Sequence, residues 1–293
     1  MSPSPSGPLR QLLVRTHLFE PAKAAKISAE RLLEGGRDAV HRKSAPNAPS
    51  DDRLPDTHQL LVDFWEHASS NWYYDILTVA AIKRILEPGD MAIDVGAHTG
   101  DVLQHIIAAA PDVAHLAVEP LPHLAAALRT NFPTVTVAEA ALVETPDGPL
   151  RFHHVTSNPG YSGIRQRSFD RPTEDVELIE VDTARLDDLV PAEQSPRVIK
   201  LDVEGAELGV LRGASRILKE DRPVVIFEHG LGAANHYDTT PRAIHDLFSG
   251  HGYELFLLGS WLESGPALSA QQFVDQFEQH RNYYFLAAPA DPS

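Results

Sequence analysis

The sequence predicts an α/β fold built on a doubly wound, mostly parallel sheet with an antiparallel closing strand. Three observations predict it. From Leu60 onward, short apolar runs of strand type alternate with runs of helical spacing, which is the pattern of βαβ units. Two of the strand-like runs end in an acid with a glycine close behind, Asp94-Val95-Gly96 and Asp202-Val203-Glu204-Gly205. Ligands in open parallel sheets bind beyond such strand ends. Finally, the 293 residues are 43% hydrophobic, enough to bury a full-sized core.

Residues 1–56 read as an N-terminal arm, flexible or partly helical. Pro and Ser crowd both of its ends, and Ser44-Ala45-Pro46-Asn47-Ala48-Pro49-Ser50 closes it like a linker. Between them Ile27, Leu32, Leu33 and Val40 share one helical face, weakened by Gly35-Gly36. Residues 57–293 form the main domain. Leu60, Leu61, Phe64 and Trp65, then Ile76, Val79, Ala80, Ile82 and Leu86, have helical spacing. Glu87-Pro88-Gly89-Asp90 is a turn, and Met91 to Val95 a buried strand. A helix follows Gly100, a strand spans His115 to Val118, a helix Leu121 to Thr130 and a strand Val135 to Val137. From about 142 to 182 the alternation breaks. Two strand-like pieces, Pro149 to Val155 and Val176 to Val181, flank a Gly/Pro/Ser-rich stretch, which reads as a hairpin or irregular excursion. Such insertions commonly carry substrate contacts. The run ending at Asp202 is the fourth strand, and Glu207 to Lys219 the next helix. Pro223 to Phe227, Tyr253 to Leu258 and Asn282 to Ala287 complete the strands, with a helix from Pro241 to Phe248.

Composition excludes several functions. A formal net charge of −16 opposes a general nucleic-acid binder and attachment to an anionic membrane. No apolar span approaches the roughly 20 residues that cross a bilayer. Met1 to Pro8 lacks the positive start and continuous apolar region of a secretory signal. Without cysteine the chain has no disulfide, thiolate ligand or thiol nucleophile. A cytoplasmic enzyme acting on a small molecule fits these facts, and a homo-oligomer stays open.

The chemistry-bearing residues lie at strand ends. In Asp94-Val95-Gly96-Ala97-His98-Thr99-Gly100, Gly96 permits a tight turn with close approach of a ligand, and Gly100 close packing as the helix begins. The spacing is neither G-x-G-x-x-G nor a phosphate-cradling G-x-x-x-x-G-K-[ST]. Glu119, ending the second strand, is placed to accept hydrogen bonds from ribose hydroxyls. Ala140 and Ala141 are small enough to leave room for an adenine ring. Asp202 and Glu204 are candidates for cofactor or substrate contact, against the alternative of capping the following helix. Glu228 and His229, ending the fifth strand, could take a proton from a substrate hydroxyl. Asp202, Glu204, Glu228 and His229 could also converge on a divalent metal. Two readings are set aside: His153-His154 point to opposite strand faces, so joint ligation is disfavoured, and Gly160-Tyr161-Ser162-Gly163 is no nucleophile elbow.

Taken together these segments resemble the FkbM family of S-adenosylmethionine-dependent methyltransferases. The resemblance runs from Asp90 to His229: the glycine loop, Glu119-Pro120, Ser157-Asn158-Pro159-Gly160-Tyr161-Ser162-Gly163, Leu186-Asp187-Asp188-Leu189, Ile199-Lys200-Leu201-Asp202-Val203-Glu204-Gly205-Ala206-Glu207, Leu211-Arg212-Gly213-Ala214 and Phe227-Glu228. The family often has Asn where this chain has His98. The resemblance implies a Rossmann-like class I methyltransferase sheet and methyl transfer to a hydroxyl of a sugar or polyketide-type secondary metabolite. It implies S-adenosylmethionine bound by Asp94, Gly96, His98, Gly100, Glu119, Ala141 and Asp202, with Asp202, Glu228 and His229 catalytic. Tyr73, Tyr74, Ser162 and Glu204 are the acceptor contacts expected. Two other readings remain at this point: a catalytically silent binding or scaffold protein with this fold, and a nicotinamide-dependent oxidoreductase, disfavoured by the missing glycine fingerprint.

Overall fold

The computed structural model describes residues 70–169, 173–237 and 239–290. The arm expected over residues 1–56 and the helical run Leu60, Leu61, Phe64 and Trp65 lie outside the described residues. The chain divides into two compact units, Met1–Leu77 and Thr78–Ser293. In the first, the described residues are helical, opening α1 (Ser70–Ile85).

The second unit is built on a seven-stranded sheet. Its strands are β1 (Met91–Val95), β2 (Leu116–Val118), β3 (Thr136–Ala138), β8 (Pro196–Leu201), β9 (Val224–Glu228), β10 (Tyr253–Leu257) and β11 (Tyr284–Pro289), in the spatial order β10-β11-β9-β8-β1-β2-β3. β9, β8, β1, β2 and β3 pair in parallel, whereas β11 runs antiparallel between β9 and β10. The closing strand thus lies inside the sheet rather than at its rim. A strand inserted antiparallel needs no crossover helix, and a short turn after α9 (Ala270–Glu278) delivers it.

Alternation along β2 shows both faces are covered. Leu116 and Val118 join the main core, with Phe227, Phe248, Phe273 and Phe285, while Ala117 faces a second cluster with Leu103, Leu128 and Val135. Leu103 belongs to α2 (Leu103–Ala109) and Leu128 to α3 (Pro122–Asn131). β1 is buried along its whole length, as a parallel strand covered on both faces must be.

The excursion after β3 forms two small sheets. β4 (Ala141–Leu142) pairs in parallel with β7 (Thr183–Ala184), and β5 (Leu150–Val155) pairs antiparallel with β6 (Val176–Val181). Phe152, Val181, Leu121, Leu124 and Ala141 close a third apolar cluster. A single helix over Glu207 to Lys219 is not what forms. α5 (Glu207–Arg212) and α6 (Ser215–Glu220) are separate, parted at Gly213-Ala214. A Cβ on Gly213 would stand 2.6 Å from the Val143 carbonyl oxygen, so the chain there is pressed against the start of the excursion. The Asp187 carboxylate, from α4 (Leu186–Leu189), accepts hydrogen bonds from the Arg216 and Ile217 amides at 2.9 and 3.1 Å. An acid from another segment therefore caps α6, satisfying donors that the helix start leaves open. Among the described residues three helices, α4, α8 (Leu258–Leu262) and α9, were not expected from the sequence. α7 (Pro241–Gly250) starts where expected, with Pro241 in its first turn and the Thr240 hydroxyl accepting from the Ala243 amide.

Replacing Asp187 with Ala uncaps α6. The expected loss is about 1 kcal/mol of unfolding free energy in a urea titration, with the cofactor affinity discussed below unchanged.

Candidate active site

Four adjacent parallel strands, β2, β1, β8 and β9, bring their carboxyl ends to one edge of the sheet. Each presents an acid there: Glu119, Asp94, Asp202 and Glu228. This edge is where an open parallel sheet binds ligands.

On the β1 side, Gly96 has φ +74°, and a Cβ would stand 1.8 Å from the Asp202 carbonyl oxygen. The neighbouring chain by itself demands a glycine here. Gly100 (φ +90°) packs on the Phe132 ring, 2.3 Å from where a Cβ would be, so its packing role stands. His98 also adopts a left-handed backbone, φ +48°. Asn and His are among the few side chains that tolerate this region, which accounts for both being used here. Glu119 is buried, and its two carboxylate oxygens accept from the His98 amide and the Leu121 amide, each at 2.9 Å. Burial raises the Glu119 carboxyl above its ordinary value, with the two amides pulling the other way. The acid thereby fixes the glycine loop to the end of β2, and its remaining lone pairs stay available to a ligand.

Sequence position alone assigns Lys200 no role. It is the register partner of Asp94 across β1 and β8. Its buried ammonium donates to the Gly96 carbonyl at 3.0 Å and stands 3.5 Å from Asp94 and 3.8 Å from Asp202. Burial alone would lower the Lys200 ammonium, but Asp94 and Asp202 together hold it above its ordinary value. Asp94 is fully buried, with neither carboxylate oxygen hydrogen-bonded, and burial pushes it up against the pull of Lys200. A lysine in the apolar run Val198-Ile199-Lys200-Leu201 was the available signal, because a buried charge requires a partner.

Asp202 accepts a 2.5 Å hydrogen bond from the Tyr284 hydroxyl. Tyr284 is the register partner of Glu228 across β11 and β9. Burial acts to raise Asp202, but Lys200 and the hydrogen bonds from Glu228 and Tyr284 hold it below the usual carboxylate range. Glu228 moves the other way, well above its usual value, through burial and the Asp202 and Glu204 charges. The opposite directions of the two carboxyls favour charge on Asp202 and a proton on Glu228.

Glu204 also has a left-handed backbone, φ +56°, and pairs with Arg167 from the excursion. Burial, with Asp202 next, pushes its carboxyl to about 8, Arg167 only partly offsetting them. The Arg167 guanidinium lies 4.2 Å from the centre of the Tyr161 ring. The helix-capping alternative falls to Glu207 instead. Its Oε1 accepts from the Val203 and Gly205 amides at 3.2 and 3.1 Å, and burial pushes it to about 7. Gly205 (φ +103°) is compelled by Ala233 and Tyr237, each with an atom 2.7 Å from a Cβ there. Tyr237 accepts from the Arg165 amide at 2.8 Å, which ties the excursion to the loop after β9.

Several expected residues stand elsewhere. His229 is not brought to the acidic group: it is buried and stacked on Phe273 and Phe277, ring centroids 5.9 and 4.7 Å away, with neither ring nitrogen hydrogen-bonded. Successive residues of an extended strand face opposite ways, so when Glu228 faces Asp202, His229 joins Phe227 in the aromatic core. Ala141 packs in the apolar cluster with Leu121 and Phe152. Ser162 is buried and its hydroxyl accepts from the Val155 amide at 3.0 Å, bracing the excursion. Tyr73 and Tyr74 lie on α1 in the unit ending at Leu77, their rings 5.4 Å apart. Their role as acceptor contacts rests on sequence position. Of the four residues considered for a divalent metal, Asp202, Glu204 and Glu228 bring carboxylate oxygens within 4.8 Å of one another. Lys200 and Arg167 already supply positive charge to this group.

The model of the methyltransferase FkbM domain matches residues 94–255, more than half of the chain. The mostly parallel sheet of this α/β fold is Rossmann-like. The chain belongs to the FkbM methyltransferase family. A comparison with curated proteins finds no match. Among solved structures, the methyltransferase FkbM from Methylobacillus flagellatus KT is 15% identical with a TM-score of 0.40, over 75% of this chain and 60% of that one. The precorrin-6y C5,15-methyltransferase from Geobacter metallireducens GS-15 is 18% identical with a TM-score of 0.37, over 62% of this chain and 71% of that one. The plantazolicin methyltransferase BpumL, in complex with SAH, is 8% identical with a TM-score of 0.42, over 81% and 91%. Among the described residues, no helix is long and apolar enough to cross a membrane.

Burial holds His229 neutral, lowering it from 6.5 to about 4. Its contribution to stability is therefore present above pH 6.5 and is lost as pH falls towards 4, where the unfolded chain takes up the proton first. That span corresponds to about 3 kcal/mol. Urea titrations from pH 7 to pH 4 should show the wild type losing stability relative to His229→Leu across this window, and parallel curves would contradict it.

Proposed function

We propose that the chain is an S-adenosylmethionine-dependent O-methyltransferase acting on a hydroxyl of a small molecule, a sugar or polyketide-type metabolite. The observation that carries the proposal is the row of acids at the ends of β2, β1, β8 and β9. The glycine loop and Glu119 suit the nucleoside half of the donor: Glu119 keeps lone pairs for ribose hydroxyls after accepting from His98 and Leu121. Asp202, at the neighbouring strand end, lies between this loop and Glu228.

The bound cofactor supplies an activated methyl group on a sulfonium. What remains for the protein is to align the acceptor oxygen, exclude water and receive a proton. The Asp202–Glu228 pair, holding one proton between two carboxyls, is the receptor for the hydroxyl proton. Tyr284 and Lys200 hold Asp202 in place for that role. Glu204, fixed by Arg167, is placed to contact the acceptor beside them. No step in this reading passes through a metal.

Titration calorimetry with S-adenosylmethionine and S-adenosylhomocysteine tests the reading, which fails if neither binds at high micromolar concentration. Glu119→Ala should weaken both by about tenfold or more, the value of hydrogen bonds to a charged acceptor. Once an acceptor is found, Asp202→Ala and Glu228→Ala should each depress turnover far more than Asp187→Ala, and equal activity in all three would refute the assignment.

A further inference from the structure

Lys200 is a buried cation set between two acids of the site. Its ammonium is within 3.5 Å of Asp94 and 3.8 Å of Asp202, and its third contact is the Gly96 carbonyl at 3.0 Å. Arg167, the other cation of the group, approaches from the excursion and pairs with Glu204. Lys200 is thus the positive charge built into the sheet edge itself. A pocket with Asp94, Asp202 and Glu119 and no such cation would bind a sulfonium strongly. In methyl transfer the carbon–sulfur bond breaks, its electron pair stays on sulfur, and the positive charge there disappears as the carbon–oxygen bond forms. The hydroxyl proton goes to the Asp202–Glu228 pair. Excess stabilisation of the sulfonium would deepen the ground state without helping the transition state.

We propose that Lys200 is a specificity-determining residue that limits how strongly this site prefers the cationic donor over its neutral demethylated product. The inference rests on the functional reading above. S-adenosylmethionine and S-adenosylhomocysteine differ by one methyl group and one positive charge, so the ratio of their dissociation constants reports the electrostatics of the site without an acceptor. Even screened as in water, a unit charge several ångströms away alters such a ratio by roughly three- to tenfold.

The test is calorimetry with both compounds on the full chain. In Lys200→Met alone, Asp94 can take up a proton and cancel the change of charge. The decisive comparison is therefore Asp94→Asn against Asp94→Asn/Lys200→Met. The double variant removes both members of a buried pair, a change that folds commonly tolerate. Adding Lys200→Met to Asp94→Asn should raise the preference for the sulfonium by about three- to tenfold, whereas Lys200→Arg in the otherwise unaltered chain should leave it within about twofold. Circular dichroism and urea midpoints establish that each variant is folded. An unmoved ratio in the Asp94→Asn background, equal weakening of both ligands, or a shift in Lys200→Arg as large as that from adding Lys200→Met to Asp94→Asn would overturn the inference. If the wild type binds neither compound, the functional reading itself fails. If it binds both and the ratio does not respond, only the role of Lys200 fails.

Discussion

The seam between β1 and β8 is the constraint on which the rest of the site depends. The Asp202 amide donates to the Val95 carbonyl at 3.1 Å, the Asp202 carbonyl occupies the space above Gly96, and Lys200 donates back to the Gly96 carbonyl. Two loops far apart in sequence are thus locked by backbone contacts that leave no room for a side chain at position 96. The charge relation follows from the same register. Because Asp94 and Lys200 are opposed on neighbouring parallel strands, they face the same side, and a buried ion pair results. Removing either member alone forces the other to lose its charge or stay unpaired in the core, which is far more costly than losing a surface pair.

Much of this was legible because it is periodic or local. Parallel strands buried on both faces read as apolar runs, and acids at their ends stand out against them, so Asp94, Glu119, Asp202 and Glu228 could be named from sequence. Contacts brought by distant segments could not. Tyr284 reaches Asp202 across 82 positions, and Arg167 reaches Glu204 across 37. Nothing in a tyrosine near the C-terminus or an arginine in a polar excursion marks it as part of the site. α9 is a different case, since its start was readable: Ser269 and Gln272 form a capping box ahead of Phe273 and Phe277. The expected single helix after Glu207 failed for a tertiary reason, the press of Val143 on Gly213 and an Asp187 cap from elsewhere in the chain. The place of His229 in the aromatic core was readable from the sequence. The alternation that separates His153 from His154 separates Glu228 from His229 equally.

The three acids of the Asp202-Val203-Glu204-Gly205-Ala206-Glu207 stretch divide the work according to their partners. Glu207 satisfies the loop amides, Glu204 meets the excursion through Arg167, and Asp202 alone is bonded to both the sheet lysine and the closing strand. That division explains why their proton affinities diverge although they lie within six residues of sequence. Asp202 is surrounded by donors and stays ionised, while Glu204 and Glu207 rise to about 8 and about 7 because burial outweighs what their partners return.

Charge balance then links the fold to the chemistry it can support. With every carboxyl ionised, the edge would carry far more negative charge than Lys200 and Arg167 can offset. Burial and the Asp202 and Glu204 charges raise Glu228 well above its usual value, which favours a proton there and relieves this excess. A pair in this state can take a further proton at Asp202 without creating a new buried charge, which is what the hydroxyl acceptor proposed above would require. The same pair would be a poor site for a cationic intermediate of long lifetime, since its charge is already spoken for by lysine, arginine and the shared proton. In the O-methyl transfer proposed above, taken as one displacement step, the acceptor proton would leave to this neighbouring carboxylate.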